Sequence, residues 1–439
     1  MNRSFFSNSI MTLSRQIVNM GISFVLILII ARILGPEGQG MYSLVILLPN
    51  LLVTFLNLGI GVSGVYFIGK QKYSTEEIIK TNVTLAKWLS LFSIIIGITI
   101  ITFFSEVFFE GIGNSQLYLI LSIIPLMFIN QFLQTVFQGK QDFKAFNSIL
   151  LFGEIINLVF VIILVWILSI GLTGAIIAFA TGHITRSLLI IYLVKSVYNY
   201  RLSNVKMSFS YLKESLKFGL KTHMSNILAF INYRVDLLII SYFLGPAAVG
   251  IYVISVNVVE RLWVVPKSVS TVLLPKISNT SSIGKKNLVT STVSRIILFV
   301  SVLMALVMYL ISDIAINILF GESYEQSSIL LKILLVGIIS GAPAKIIAND
   351  FAGRGKPELN LYISIFTVLS NILLNILLIP TYGLIGAAVA TSITYSINWL
   401  VKIVIFNRIS KLPLKELLLL KKSDIFLLIN FLKRVRKVK

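Results

Sequence analysis

The sequence predicts an all-α polytopic membrane protein of twelve transmembrane helices, in two parallel six-helix lobes around a central cavity, with both termini cytoplasmic. Three observations predict it: apolar runs recur along the chain, alternate loops differ in charge, and a turn motif repeats at the same place in each half. Of 439 residues 56% are apolar and only 13% charged, and the mean hydropathy of +0.93 lies far above that of water-soluble domains.

Each apolar run of about 20 residues is long enough to cross roughly 30 Å of hydrocarbon. The first half gives spans at 12–34, 42–68, 83–104, 117–138, 149–170 and 174–194. The second gives spans at 217–244, 248–273, 293–312, 329–351, 361–379 and 384–406. The first is read as a retained helix, because no short apolar core with a small-residue cleavage site follows Arg3 and Arg15.

Orientation follows from lysine and arginine, whose retention on the cytoplasmic side dominates insertion. One set of loops carries Lys70, Lys72 and Lys80; Lys140 and Lys144; Lys195, Arg201, Lys206 and Lys213; Lys276, Lys285 and Lys286; and Arg354 with Lys356. The alternate set carries Glu37, Glu106, Glu110, Glu322 and Glu325. The net charge of +21 therefore reports topology, and nucleic acid is not an expected partner.

The loops are too short to hold a soluble catalytic domain, so an enzyme is not expected. With no cysteine and two histidines, thiol and zinc chemistry are excluded and no metal or cofactor is expected. A basic cytoplasmic tail, 411–439, combines Leu-rich segments with Lys433-Arg-Val-Arg-Lys-Val-Lys439. It reads either as an interfacial helix held to anionic membrane lipids or as a solvated anchor.

Leu34-Gly-Pro-Glu-Gly-Gln-Gly-Met-Tyr42 recurs as Leu244-Gly-Pro-Ala-Ala-Val-Gly-Ile-Tyr252, 210 residues later. Gly171-Leu-Thr-Gly-Ala recurs as Gly383-Leu-Ile-Gly-Ala. Two matches in the same order indicate duplication, with lobes at 1–200 and 201–410. Six helices per half is even, so the repeat is parallel. Pro49, Pro125, Pro266 and Pro343 fall inside spans and predict kinks.

With these turns, and with Phe137-Gln-Gly-Lys-Gln141 matched by Phe351-Ala-Gly-Arg-Gly355, the chain resembles the polysaccharide-export flippases of the Wzx type. These belong to the multidrug/oligosaccharidyl-lipid/polysaccharide exporter superfamily. The resemblance implies flipping of undecaprenyl-diphosphate-linked repeat units from the inner to the outer leaflet of a bacterial cytoplasmic membrane. It further implies partnership with a polysaccharide polymerase and export machinery. Drug exporters of the superfamily would be expected to carry acidic sites in the first lobe, and spans one and two have no mid-span carboxylate.

An ionisable group in mid-bilayer costs roughly 2.5–3.5 kcal/mol, so each needs a partner, water or a function. Arg234 and Asp236 in span seven, and Glu260 and Arg261 in span eight, fall near mid-membrane by residue count. Their repeat positions, Phe24, Leu26, Asn50 and Leu51, carry no charge. On one reading Arg234 and Arg261 hold the diphosphate through their guanidinium forks, with Asp236 and Glu260 as counter-ions or proton carriers. On the other, the four are structural ion pairs. Lys345 and Arg32 are further substrate-binding candidates. Arg15, Lys87, Arg186 and Lys221 read as headgroup anchors, and Glu154 with His183 as a buried hydrogen-bonded group or proton relay. Asn130, Gln131 and Gln134 could face sugar or bond neighbouring helices. Three rivals remain open: a drug or organic-cation antiporter, a membrane glycosyltransferase or polymerase, and a non-transporting assembly scaffold.

Overall fold

The structure is a computed structural model that describes residues 3–197, 199–200, 206–424 and 426. Arg201 and the basic segment 433–439 lie outside the described residues. The helices are α1 (Arg3–Leu56), α2 (Ile60–Lys70), α3 (Thr75–Phe108), α4 (Asn114–Leu121), α5 (Ile124–Gly139), α6 (Phe143–Val161) and α7 (Gly171–Tyr192). They continue with α8 (Phe209–Glu260), α9 (Val264–Ser278), α10 (Ile283–Phe320), α11 (Glu325–Gly353), α12 (Glu358–Ser410) and α13 (Lys415–Leu418). Among the described residues there is no strand, and nine helical stretches are long and apolar enough to cross a membrane.

Three of the nine, Ser14–Leu56, Thr222–Ser278 and Glu358–Ser410, have 43, 57 and 53 residues. At 1.5 Å per residue the shortest would run about 65 Å, twice a hydrocarbon core. Each is broken by a glycine outside helical space: Gly35 (φ 67°, ψ −174°), Gly245 (φ 79°, ψ 178°) and Gly383 (φ 58°, ψ −139°). A side chain at Gly35 or Gly245 would be forced into a region almost closed to L residues, and the following Pro36 and Pro246 restart the helix with φ already set.

The paired motifs share backbone conformations. Gly35 and Gly245 share one conformation, and Gly171 (φ 71°) and Gly383 (φ 58°) both have positive φ. After α5 the Asp142 amide donates to the Phe137 carbonyl at 2.8 Å, and after α11 the Lys356 amide donates to Phe351 at 2.9 Å. Gln141 (φ 61°) and Gly355 (φ 75°) sit in left-handed geometry there. The paired motifs 137–141 and 351–355 are thus two copies of one helix C-cap.

The expected kinks are met in part. Pro125 opens α5 just after the α4–α5 break, and Pro266 follows a 3₁₀ turn at Arg261–Trp263, where it cannot donate to the Leu262 carbonyl. Pro49 and Pro343 lie within continuous helix. An unforeseen break separates α1 from α2, where the Asn57 side chain accepts from the Gly59 amide at 2.9 Å.

The chain forms two compact units, 1–250 and 251–439. In the first, one core joins Phe67, Ile78, Phe137, Phe146 and Tyr211, and a second joins Leu26, Ile30, Tyr42, Val161 and Ala175. The first segment of α8 packs within this unit. Tyr211 donates to Asn82 at 3.1 Å, Ser215 bonds Ser63, and Ser241 donates to the Phe108 carbonyl at 2.9 Å. At its exposed start Lys72 pairs with Glu214 at 2.7 Å. That bond raises the lysine pKa and lowers the carboxylate's. In the second unit, Ile347, Phe351, Ile403, Phe406 and Leu417 form a core that binds α13 to α11 and α12. Arg295 of α10 holds Asp424 at 2.8 Å, both side chains almost wholly buried, so the start of the tail is docked onto the helices.

Candidate functional site

In the second unit the helix distortion before Pro266 sets Glu260 and Arg261 at the point where α8 gives way to the 3₁₀ turn. Two residues on, Trp263 is fixed from three sides. Its indole N–H donates to the Ile338 carbonyl at 3.0 Å, its ring centroid lies 5.2 Å from that of Tyr395, and its edge covers Gly341. A Cβ at Gly341 would come within 2.7 Å of the indole, so glycine is needed there.

The Lys345 ammonium stands 3.9 Å from the Trp263 ring centroid. A desolvated cation–π contact of this kind is worth about 2 kcal/mol. Lys402 on α12 is buried, 9% exposed, and within Coulombic range of Lys345. Among the described residues Lys402 forms no ion pair. Two lysines, Lys345 and Lys402, thus lie within Coulombic range of each other, and Lys345 stacks on the Trp263 ring of the turn that also carries Arg261. A buried cation such as Lys402 is costly. Such a set is suited to an anion, which would relieve the repulsion between the lysines.

Lys402 and Trp263 escaped sequence reasoning. Lys402 was detectable by the rule that found the others, since it is the one charge in the run 384–406. The role of Trp263 depends on α11 packing and leaves no sequence signal.

The remaining candidates lie in the first unit. Arg234 is half-buried and its guanidinium donates to the Tyr233 carbonyl at 3.3 Å, while Asp236 is buried and accepts from the Leu237 amide at 2.9 Å. Arg32 is exposed. Asn130 donates to the His183 carbonyl at 3.1 Å and accepts from Ser187 at 2.8 Å, so it ties α5 to α7. Arg186 forms an ion pair with Glu154, and Arg15 donates to Asn147 at 2.7 Å. An apolar cavity of about 260 Å³, lined by residues including Leu47, Leu51, Phe104 and Leu238, offers no polar group to a sugar or phosphate. Among the described residues no group of three or more His, Asp or Glu side chains could hold a metal ion.

The family described as polysaccharide biosynthesis protein matches over residues 29–329. The chain is 26% identical over 382 residues to a Shigella flexneri protein named for O-antigen transport, covering 83% of this chain and 88% of that one. It is 23% identical over 380 residues to the capsular polysaccharide biosynthesis protein CapF of Staphylococcus aureus, covering 84% and 91%. Among solved structures, the lipid II flippase MurJ in its inward closed conformation aligns with a TM-score of 0.76 at 19% identity, covering 94% of this chain and 89% of that one. An inward-facing multidrug resistance transporter of the MATE family aligns with a TM-score of 0.72 at 17% identity, covering 90% and 95%. At such identities the likeness is one of fold.

Proposed function

Because the chain belongs to the polysaccharide biosynthesis protein family, we propose that it is a flippase for lipid-linked oligosaccharides, carrying undecaprenyl-diphosphate-linked repeat units from the inner to the outer leaflet for surface polysaccharide export. The observation that supports this reading is the pair of lysines in the second unit, with Lys402 buried within Coulombic range of Lys345 and Lys345 held over Trp263. A diphosphate is the chemistry such a set favours, because its oxygens accept from guanidinium and ammonium together.

The topology read with it is twelve spans with both termini cytoplasmic. Among the described residues nine long helices, three of them divided by Gly35, Gly245 and Gly383, support that number. The repeats 1–200 and 201–410 are the lobes of this reading, and alternating access around a central cavity is its mechanism. Arg234, Arg261, Lys345 and Arg32 bind the diphosphate, and Asp236 and Glu260 neutralise them between cargoes or carry a coupling ion. The polyprenyl tail stays in lipid, where its burial costs nothing. The cargo crosses without covalent change. The membrane is the bacterial cytoplasmic membrane, whose anionic lipids hold the basic tail, and polymerase and export machinery take the product.

A drug or organic-cation antiporter on the same fold would need a site of net negative charge, and the adjacent Lys345 and Lys402 weigh against it. The test compares surface polysaccharide in cells lacking the gene and complemented with wild type, Arg234→Ala, Arg261→Ala or Lys345→Ala, with membrane levels checked. Well-expressed variants that fail to clear intracellular lipid-linked units support the reading. Normal export from the deleted strain removes it.

A further inference from the structure

The first unit holds a second group of charges that the sequence assigned to headgroup anchoring and to structural bonding. Arg186 on α7 and Glu154 on α6 form an ion pair whose side chains are 17% and 23% exposed, so the pair is partly accessible. Arg15 on α1 lies within Coulombic range of both. His183 lies within range of Arg186, and the Tyr42 hydroxyl within range of Glu154. The set is two guanidiniums against one carboxylate.

Three features set it apart from a lipid anchor. Each charged residue is two positions from an exposed apolar one: Arg186 from Leu188, Glu154 from Phe152, Arg15 from Ile17, which are 62%, 54% and 58% exposed. Two helical residues span about 200°, so Arg186 and Glu154 point away from these exposed apolar residues of their helices. The Arg186 stem lies flat across Gly153, where a Cβ would come within 2.5 Å of its Cγ. The backbone of α6 is therefore shaped to seat this arginine. Finally, Arg186 Nε is buried and makes no hydrogen bond, so the carboxylate engages only part of the guanidinium fork.

Glu154 is eleven residues past the start of α6, and Arg186 is six residues before the end of α7. At 1.5 Å per residue this sets the pair about 9–17 Å from the helix ends that carry the lysine-rich loops.

We propose that Arg186 and Arg15 form a second oxyanion site for the cargo diphosphate in the inner-leaflet half of the first unit, with Glu154 as an internal counter-ion that the diphosphate displaces. The proposal rests on the flippase reading and deepens it. A doubly charged phosphate group satisfies both guanidiniums where a single carboxylate cannot, and re-entry of Glu154 lets the cargo go.

The test uses purified full-length protein in phosphatidylcholine nanodiscs, with undecaprenyl diphosphate, inorganic pyrophosphate and phosphatidylglycerol as probes. Glu154→Gln is expected to tighten undecaprenyl diphosphate binding by about tenfold, and Arg186→Gln to weaken it by a similar factor, the size of one charge-assisted hydrogen bond. Pyrophosphate is expected to follow the same order with weaker binding. Thermal unfolding of each variant is measured beside it, and Arg186→Lys and Arg15→Gln stand in if Arg186→Gln does not fold. A purely structural pair would lose stability in both Glu154→Gln and Arg186→Gln, with affinity unchanged, and that result overturns the site. A response confined to phosphatidylglycerol also overturns it, because the ligand is then bulk lipid. Normal export from the deleted strain would remove the flippase reading without touching these affinities, so the two failures are distinguishable.

Discussion

Replacing Gly40 by alanine tests the packing of the repeated turns. A Cβ at Gly40 would lie 1.8 Å from the Pro246 carbonyl oxygen, and one at Gly250 would lie 1.9 Å from that of Pro36. The two copies of the Leu-Gly-Pro turn thus cross backbone to backbone, each glycine under the other's proline carbonyl. Ordinary contact begins near 3.4 Å, so Gly40→Ala requires the turns to part by about 1.6 Å. The obstructing atoms are backbone and cannot swing aside as a side chain would. Overpacking of this kind costs about 1–3 kcal/mol. Gly21 on the same helix is the control, because a Cβ there meets nothing within 4 Å. Its alanine is expected to be neutral or stabilising by up to about 1 kcal/mol through helix propensity. Thermal unfolding of the purified proteins is the assay. The second substitution, Gly250→Ala, should add less than its single effect once the turns have parted. If Gly40→Ala unfolds with Gly21→Ala and wild type, the crossing does not hold the turns together.

Arg295→Ala leaves Asp424 buried without its cation and is expected to cost about 3–5 kcal/mol and to free residues 411–424, measured by amide hydrogen exchange. Burial alone would raise the Asp424 pKa, but its bonds from Arg295 and the Lys421 amide outweigh this, and the net shift is downward. The docked segment should therefore be fully held above the ordinary aspartate pKa of about 3.9 and released as pH falls below it, which the same exchange measurement follows. Lys402→Met removes an ionisable group from a buried apolar site, so a thermal melt should rise by the equivalent of about 2–3 kcal/mol while polysaccharide export falls. Gln141→Gly converts one C-cap into its repeat partner Gly355 and should stabilise by about 1 kcal/mol in the same melt.

The sequence made legible what is decided locally. Apolar runs, glycine turns and the paired caps at 137–141 and 351–355 depend on sterics within a few residues, and the helices end where those signals stand. Pairing across helices was less legible. Counting along α6 and α7 gives the depth of Glu154 and Arg186, yet whether they meet depends on the azimuth of each helix. The seat at Gly153 that fixes it looks like any other glycine in the sequence. The same limit hid the docking of the first α8 segment within the unit that holds α1 to α7. Its partners Asn82, Ser63 and Phe108 are more than 120 residues away. Lys402 was readable and passed over, because one lysine in an apolar run resembles a snorkelling end charge until its burial is known.

The most direct measurement is the leaflet in which lipid-linked repeat units reside, read by accessibility of their sugars to an impermeant probe on spheroplasts with and without the gene. Exposure of the units on the outer face of wild-type spheroplasts, and their retention on the inner face when the gene is deleted, is the predicted result. Equal outer-face exposure in both strains would contradict flipping by this protein.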